Sequence, residues 1–254
     1  MLRARKRFGQ NFLVDSGIIQ KIIGSLDIKQ NDHVVEIGPG RGALTQPLCD
    51  SRCDLTLIEI DRDLTAELSV RFPEAELINQ DVMTIDFNAF AGKSPLRIIG
   101  NLPYNISTPL LFKLFDAGEH IHDMHFMLQR EVVDRMTALP STKAYGRLSV
   151  MAQLHCHTEK LFEVPPQAFS PRPKVQSAII RLTPNNKATD VDKKLLESIL
   201  IQAFSMRRKT IRNALRKFLT TDELESLHLN PQLRPENLTI DDYLACTRFV
   251  GSKP

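Results

Sequence analysis

The sequence predicts an α/β protein, in which a mostly parallel sheet carries helices on both faces and a small all-helical domain follows. Short apolar runs alternate with helical patterns up to about Leu182, as they do in β-α-β units. Turn residues interrupt this pattern at 183–187, and from Asp192 onward only helical patterns remain. We therefore expect residues 1–183 to form an N-terminal arm with the sheet domain, and residues 184–254 to form the helical domain.

The chain begins with a basic arm, residues 1–13, which lacks the apolar core of a signal peptide. Asp15 is expected to cap the first helix, which would bury Ile18, Ile22 and Leu26 on one face. No apolar run in the sequence approaches the length of a membrane span. These features lead us to expect a cytoplasmic protein.

Cysteines and histidines predict neither a disulfide framework nor a metal site. The cysteines are scattered and form no C-x-x-C pair, so we expect reduced thiols at Cys49, Cys53, Cys156 and Cys246. Three histidines lie between helix and strand patterns without accompanying thiolates or carboxylates: His120, His122 and His125. We expect these histidines in loops or on the surface, and we expect no bound metal.

A glycine-rich turn follows the first predicted strand and precedes a predicted helix. Its segment Gly38-x-Gly40-x-x-Ala43 fits the dinucleotide fingerprint, in which glycines let the backbone approach a ligand closely. Glu59 ends the next strand, about 20 residues further on, where a carboxylate would bind ribose hydroxyls. This pattern predicts a nucleoside-containing cofactor on a Rossmann-like sheet, and it fits both a nicotinamide dinucleotide and S-adenosylmethionine.

Two further strand ends carry polar side chains. Asp81 ends the third predicted strand and could accept a hydrogen bond from an adenine amine, and Asn101 ends the fourth. Since the carboxyl ends of parallel strands meet at one edge of a sheet, we expect Gly38, Glu59, Asp81 and Asn101 along one rim. No acid or base suited to hydride transfer stands out there, which favours S-adenosylmethionine.

The turn after the fourth strand has an unusual composition, Asn101-Leu102-Pro103-Tyr104. The amide oxygen of Asn101 can accept a hydrogen bond from an exocyclic amine, and the proline holds the neighbouring carbonyls in place. The ring of Tyr104 offers a face on which a nucleobase can stack. The turn is typical of a site that holds the amine of a flat ring for attack. A strand end with a packed tyrosine is the alternative.

The net charge of +3 conceals an uneven distribution. Residues 31–100 carry twelve acidic and six basic side chains, whereas residues 205–217 hold only basic ones. We expect a helix from Ser205 to Leu219, with five residues that bind RNA phosphates: Arg207, Arg208, Lys209, Arg212 and Arg216. A solvated basic helix is the alternative.

Together these motifs resemble those of the ribosomal RNA adenine dimethyltransferases, enzymes that use S-adenosylmethionine. The resemblance spans nearly the whole chain and rests on six segments: 8–13, 35–40, 58–61, 101–107, 169–177 and 207–213. The macrolide-resistance methyltransferases of large-subunit RNA share the cofactor motifs and the Asn-x-Pro-Tyr turn. The segments at 8–13 and 207–210 favour the branch that acts in ribosome biogenesis.

The resemblance implies methylation of two adjacent adenosines near the 3′ end of 16S ribosomal RNA, in the immature small subunit, to N6,N6-dimethyladenosine. It implies a cofactor site formed by Asn11, Leu13, Gly38, Gly40, Glu59, Asp81 and Asn101. The catalytic set is Asn101, Leu102, Pro103, Tyr104 and Phe169, with Phe169 closing the second face of the target base. A monomer is expected.

Two other classes remain open at this point. A non-catalytic ribosome-assembly factor would show a damaged Asn101 turn or cofactor rim, and this chain shows neither. An enzyme acting on large-subunit RNA or on DNA is the second alternative. DNA amino-methyltransferases commonly place a second proline before the tyrosine, and Leu102 does not fit that form.

Overall fold

The structure, a computed structural model, describes residues 11–90, 95–103, 106–185 and 191–253. The chain divides into two compact units: Met1–Val133 with Thr158–Pro184, and Asp134–His157 with Asn185–Pro254. The second unit thus includes residues 134–157, which the sequence analysis assigned to the sheet domain. The reason is packing, because the helix Arg147–His155 lies against C-terminal helices and buries Val150, Ala152 and Leu154.

The strands form two sheets, and the most buried of them lie at the centre of the larger one. A small sheet pairs β1 (Phe12–Leu13) with β8 (Phe169–Ser170). The larger sheet contains β2 (His33–Ile37), β3 (Asp54–Ile58), β4 (Glu76–Ile78), β5 (Leu96–Asn101), β6 (Ile121–Gln129), β7 (Cys156–Val164) and β9 (Ser177–Pro184). Its seven described strands lie in the order β4-β3-β2-β5-β6-β9-β7. The first five are parallel, and β9 is antiparallel to β6.

Helices α1 to α5 connect these strands: Ser16–Leu26, Thr45–Asp50, Arg62–Arg71, Ser107–Asp116 and Arg130–Met136. The second unit contains α6 to α10: Arg147–His155, Lys193–Ser205, Ile211–Ala214, Thr221–Ser226 and Ile240–Gly251. The predicted cap of α1 is confirmed, because Asp15 accepts a hydrogen bond from the Ile18 N–H at 3.0 Å. Across the described ranges, no helix is both long and apolar enough to cross a bilayer.

Register in the sheet brings the carboxyl ends of the central strands level. Ile37 pairs with Ile58 on β3 and with Gly100 on β5. A Cβ atom on Gly100 would lie 2.6 Å from the Ile37 carbonyl oxygen, so only glycine fits where these strands approach. The residues that follow β2, β3 and β5 therefore emerge side by side at one edge of the sheet.

At the opposite edge of the sheet, where the central strands begin, Arg97 links several elements. The guanidinium of Arg97 on β5 donates to both carboxylate oxygens of Asp123, at 2.9 and 2.6 Å, and to Asp32 at 2.8 Å. It also donates to the carbonyl oxygens of Leu26 and Asp27 at the end of α1. Hydrogen bonding to Asp123 raises the pKa of Arg97. This cation joins α1, β5 and β6.

The helix expected from Ser205 to Leu219 is wrong in its extent, since α8 spans only Ile211–Ala214. The Ile211 N–H donates to the Leu233 carbonyl at 2.7 Å and the Arg212 N–H to the Pro231 carbonyl at 3.3 Å. A loop therefore takes the N–H groups that a continuous helix would bond to its own preceding turn. The basic side chains do not form one helical stripe.

Candidate active site

A cavity of about 320 Å³ opens at the carboxyl edge of the central strands. Its lining combines the glycine-rich turn, the ends of three strands, and β1 with the residue before it. Among the residues that line it are nine of those predicted for the site: Asn11, Leu13, Gly38, Gly40, Glu59, Asp81, Asn101, Leu102 and Pro103. The four residues expected on one rim therefore share one cavity.

The glycine-rich turn takes a conformation that requires glycine. Gly38 and Gly40 have φ angles of 67° and 58°, in the left-handed region that other residues avoid. A Cβ atom on Gly40 would lie 3.2 Å from the ring of Phe12, which also lines the cavity. Arg41 covers the other part of this ring, with its guanidinium carbon 4.5 Å from the centroid. Beside Gly38, by contrast, the nearest atom to an added Cβ would be the Asn101 carbonyl oxygen at 4.0 Å, so space remains beside the backbone there.

Glu59 follows β3 and lies 5% exposed at the cavity wall. Its Oε2 accepts from the Gly40 N–H at 3.2 Å and its Oε1 from the Asp61 N–H at 2.9 Å. Burial raises the pKa of Glu59, and these hydrogen bonds oppose that rise. Each carboxylate oxygen has lone pairs for a further donor, so Glu59 can bind a diol in a fixed orientation.

Asp81 lies three residues beyond β4, rather than at its last residue as expected. It caps a short 3-10 helix, Val82–Thr84, and its Oδ1 accepts from the Met83 N–H at 2.9 Å. Its exposed carboxylate borders the cavity beside Val82 and Ile60. Ile60 is 46% exposed, although it is a large apolar residue. The Asp81 carboxylate can accept a hydrogen bond from an exocyclic amine, and the apolar side chains beside it can contact the flat ring that carries the amine.

Asn101 ends β5, and its side chain is held by a residue of the N-terminal arm. Its Nδ2 donates to the Asn11 carbonyl oxygen at 3.0 Å. That bond directs the amide so that Oδ1 is the free acceptor, since no described residue donates to it. The Leu102 N–H donates to the Met127 carbonyl at 3.3 Å, which fixes the turn against β6.

The two carbonyls of the turn are not equivalent. The Pro103 carbonyl accepts from the Ile106 N–H at 3.2 Å, at the start of α4. Within the described ranges, nothing donates to the Leu102 carbonyl. The Leu102 carbonyl is therefore the better second acceptor for an amine. Tyr104, the remaining residue of the predicted turn, lies outside the described residues.

Phe169 is not on the cavity wall. It is 3% exposed, pairs with Leu13 across the β1–β8 sheet, and belongs to the apolar core of the first unit. Contact with a target base would require the ring to leave this cluster. Its role as the second face of the base pocket stays a prediction.

The basic residues of the second unit differ in their environments. Arg207 is bound within the protein, where Nε pairs with Glu236 and Nη2 donates to the Lys143 carbonyl at 2.7 Å. The other four residues predicted to bind RNA are exposed, and none forms an ion pair with a described residue: Arg208, Lys209, Arg212 and Arg216. Arg207 is thus bound within the second unit, and its predicted contact with RNA stays a prediction, while these four are available to an external anion.

Histidine 125 contradicts the expectation of a surface position. It lies on β6, is 3% exposed, and has its Nδ1 3.9 Å from Asp123 Oδ2. Burial lowers the pKa of His125 to about 4, so it is neutral at pH 7. In the part of the chain that the structure describes, no group of three His, Cys, Asp or Glu residues is arranged to hold a metal ion.

Glu36 is the site residue that the sequence analysis missed. It sits inside β2, is 2% exposed, lines the cavity, and accepts from the Thr45 hydroxyl at 2.6 Å. Burial raises the pKa of Glu36 to about 7, and Glu59 adds to that rise. A charged residue in the middle of a fully buried strand was the available signal, because carboxylates are rarely buried without a partner.

A ligand cavity at a glycine-rich turn, on the carboxyl edge of a mostly parallel sheet, is characteristic of the nucleoside-binding α/β enzymes. Comparison with known proteins defines the class further. The chain belongs to the ribosomal RNA adenine dimethylase family, whose sequence model matches residues 1–250. The family and fold class that the motifs indicated are confirmed.

Two relatives cover almost the whole chain. The ribosomal RNA small subunit methyltransferase A of Hahella chejuensis is 49% identical over 258 residues, which is 99% of this chain and 94% of that protein. A dimethyladenosine transferase from Plasmodium falciparum has a crystal structure with a TM-score of 0.82 and 27% identity. That match covers 94% of this chain and 97% of the other.

A 23S rRNA methyltransferase of known structure shares the fold, with a TM-score of 0.72 over 95% of this chain and all of the other. Its identity to this chain is 24%, which bears on the fold alone. The higher identity is therefore to a small-subunit enzyme, as the segments at 8–13 and 207–210 predicted.

Proposed function

We propose that this enzyme transfers methyl groups from S-adenosylmethionine to the N6 amine of two adjacent adenosines in a loop near the 3′ end of 16S ribosomal RNA. The product is N6,N6-dimethyladenosine, and the substrate is the RNA of immature small ribosomal subunits. The observation that carries the proposal is the oriented amide of Asn101, fixed by the Asn11 carbonyl on the wall of a nucleoside-sized cavity.

The residues around the cavity fit S-adenosylmethionine. Gly38 leaves space beside the backbone for the amino-acid part, and Glu59 presents a carboxylate to the ribose hydroxyls. Asp81 can accept from the adenine amine, while Ile60 and Val82 supply apolar contact to the ring. When bound, this cofactor supplies a methyl group already activated by a positive sulfur.

The chemistry that remains for the protein is mainly alignment of the target nitrogen. An adenine amine is a poor nucleophile because its lone pair is delocalised into the ring. Asn101 Oδ1 and the Leu102 carbonyl can each accept one N–H of the amine, which favours a more tetrahedral nitrogen. These acceptors also stabilise the positive charge that develops on the nitrogen during attack. After one transfer the amine keeps one N–H, which Asn101 can hold for a second transfer.

The target base must leave its stack to reach this cavity, and bases in RNA loops do so at low cost. We propose that Tyr104 stacks on the base. Arg208, Lys209, Arg212 and Arg216 would bind RNA phosphates, whereas Arg207 is held by Glu236 and the Lys143 carbonyl. A cytoplasmic location and a monomeric state stay predictions.

Methylation of purified particles tests the function. The protein is incubated with labelled S-adenosylmethionine and unmethylated 30S particles, and the RNA is digested for mass spectrometry. We expect N6,N6-dimethyladenosine at two adjacent positions near the 3′ end of 16S RNA. Label in 50S particles instead would favour the large-subunit alternative. No label in either would favour an assembly factor, and monomethyladenosine alone would show that the pocket rejects the secondary amine.

Charge reversal tests the RNA contacts. Replacing Arg208 and Arg212 with Glu is expected to weaken particle binding and to lower its salt dependence, because each lost phosphate contact reduces counterion release. Cofactor affinity should stay unchanged. The matched control is Arg207→Met, which removes a cation already paired with Glu236 and should leave the salt slope unchanged. Equal slopes for all three proteins would mean that the exposed cations are only solvated.

A further inference from the structure

The 3-10 helix that follows Asp81 at the cavity is a single turn, Val82–Thr84. Asp81 closes it twice, because its Oδ1 accepts from the Met83 N–H at 2.9 Å and its carbonyl oxygen accepts from the Thr84 N–H at 2.9 Å. Such a short helix has poor hydrogen-bond geometry and leaves its last carbonyls without helical partners. Among the described residues, no backbone N–H donates to the Met83 carbonyl. That carbonyl is therefore available to a side chain from another element.

The side chain that binds the Met83 carbonyl is Lys113 of α4. Its Nζ donates to the carbonyl oxygen at 2.7 Å, although the two residues lie 30 positions apart in the sequence. A hydrogen bond donated by an ammonium group is about twice as strong as one between neutral groups. Met83 is therefore held at both of its backbone groups, by Asp81 at the N–H and by Lys113 at the carbonyl.

The helix that carries Lys113 is anchored in the core. Three leucines of α4 have no exposed surface, and Lys113 itself is partly buried: Leu110, Leu111 and Leu114 are the leucines concerned. The start of α4 is also bound to the turn after β5, since the Ile106 N–H donates to the Pro103 carbonyl at 3.2 Å. A lysine on such a helix can hold the Val82–Thr84 turn in a fixed position relative to the sheet.

The position of this turn matters for recognition of the cofactor's base. Asp81 Oδ1 is engaged by the Met83 N–H, so Oδ2 is the oxygen that can accept from the adenine amine. A hydrogen bond weakens steeply when its angle departs from linearity, so a shift of the turn would lose the amine. We propose that Lys113 is a positioning residue, which holds the Val82–Thr84 turn so that Asp81 selects adenine over a base without the amine. This inference rests on the proposed function, and it concerns the base of the cofactor, not the RNA.

Calorimetric titration of the full-length protein with two ligands tests the inference. The ligands are S-adenosylhomocysteine and S-inosylhomocysteine, in which a carbonyl replaces the exocyclic amine. The wild-type protein should prefer the adenosyl ligand by at least about tenfold, the scale of one hydrogen bond to a charged group. Lys113→Met keeps the apolar stem and removes the ammonium, and it should lower this preference by about fivefold or more. A merely structural role would weaken both ligands equally and leave their ratio unchanged.

Three further variants serve as controls. Lys113→Arg keeps a cationic donor and should retain most of the preference. Lys113→Gln shortens the side chain and removes its charge, and it provides the same comparison if Lys113→Met fails to fold. Lys253→Met removes a lysine that donates to the Phe218 carbonyl at 2.9 Å in the second unit, and it should leave both affinities unchanged.

Asp81→Asn separates the positioning role from the contact with the base. The amide oxygen can still accept from the Met83 N–H, while the amide nitrogen replaces Oδ2 and can donate to the carbonyl of the inosyl ligand. The preference should therefore move towards the inosyl ligand, and adding Lys113→Met should reduce that shift, because both changes act on one contact.

The outcomes distinguish the inference from the proposed function. If Asp81→Asn changes the preference and neither Lys113→Met nor Lys113→Gln does, the inference is overturned and the proposed function stands. If Asp81→Asn leaves the preference unchanged, Asp81 does not contact the base, and the inference is overturned with that assignment. If the wild-type protein binds neither ligand, the proposed function is contradicted, and the inference with it.

Discussion

The two ends of strand β5 differ in whether the polar groups there have hydrogen-bond and ion-pair partners. At the amino end, Arg97 meets two carboxylates and two carbonyls, and its side chain is only 11% exposed. At the carboxyl end, Asn101 leaves one acceptor free, and two buried carboxyls nearby have no cation among the described residues. The polar groups at the amino end of β5 therefore have a full set of partners, whereas those at and near its carboxyl end do not.

This difference in partners indicates that the amino end contributes to stability and the carboxyl end to ligand binding. A buried charge with a full set of partners stabilises the fold only as long as every partner is present. Polar groups without partners cost stability, and they persist where a ligand completes them. We therefore expect substitutions at the amino end to change the free energy of unfolding, and substitutions at the carboxyl end to change ligand binding and rate.

The largest expected effect is on stability at the amino end. Arg97→Met should lower the free energy of unfolding by about 3–5 kcal/mol, because it leaves Asp123 buried without its partner. The matched control is Arg181→Met, which breaks the pair with Glu159, where both side chains are 40% or more exposed. The control should cost less than about 1 kcal/mol. Chemical unfolding monitored by circular dichroism measures both losses, and equal losses would show that Arg97 contributes no more to stability than an exposed ion pair.

At the carboxyl end we expect a smaller change in the free energy of unfolding, and in the opposite direction. The pKa of Glu36 is raised from 4.5 to about 7, so the folded state disfavours its ionised form. The resulting loss of stability is absent below pH 4.5, develops between pH 4.5 and 7, and is complete above pH 7. Glu36→Gln should therefore stabilise the ligand-free protein at pH 8 by at most about 3 kcal/mol, and leave it unchanged at pH 4.5.

Thermal unfolding of both proteins at the two pH values measures this prediction. Thr45→Val is the useful companion variant, since it removes the hydroxyl that donates to Glu36 while leaving the carboxyl in place. That variant should be less stable than wild type at pH 8. A Glu36→Gln protein that is less stable than wild type at pH 8 would show that the ionised carboxyl has a partner.

Much of this arrangement could be predicted from the sequence, for physical reasons that differ by region. The strand ends were predictable because parallel strands must place their carboxyl ends together, so Gly38, Glu59 and Asn101 could be assigned to one rim. The N-terminal caps of α9 and α10 were predictable because Thr220 and Thr239 each stand three residues before an acidic residue, and both form capping boxes.

Other features depend on contacts that no local pattern encodes. The basic segment after α7 has helical periodicity, but Ile211 and Arg212 bond to a distant loop at 231–233, and the helix is cut to one turn. Arg207 joins a carboxylate 29 positions away, so its internal role could not be read from its neighbours. His125 is buried because its strand, β6, lies between β5 and β9 and pairs with both, a placement that the sequence around it does not encode.

The central claim is that the carboxyl edge separates binding from rate, with Glu59 holding the cofactor and Asn101 presenting the amine. The direct measurement is calorimetric titration with S-adenosylmethionine, combined with single-turnover methylation of 30S particles, for Asn101→Ala and Glu59→Ala. Asn101→Ala should bind the cofactor comparably to wild type and lose at least about 10²-fold in rate, the scale of one oriented hydrogen bond. Glu59→Ala should weaken binding by roughly 1.5–3 kcal/mol per lost bond at most. If Asn101→Ala kept its rate, or Glu59→Ala kept its dissociation constant, the assignment of the two roles would be contradicted.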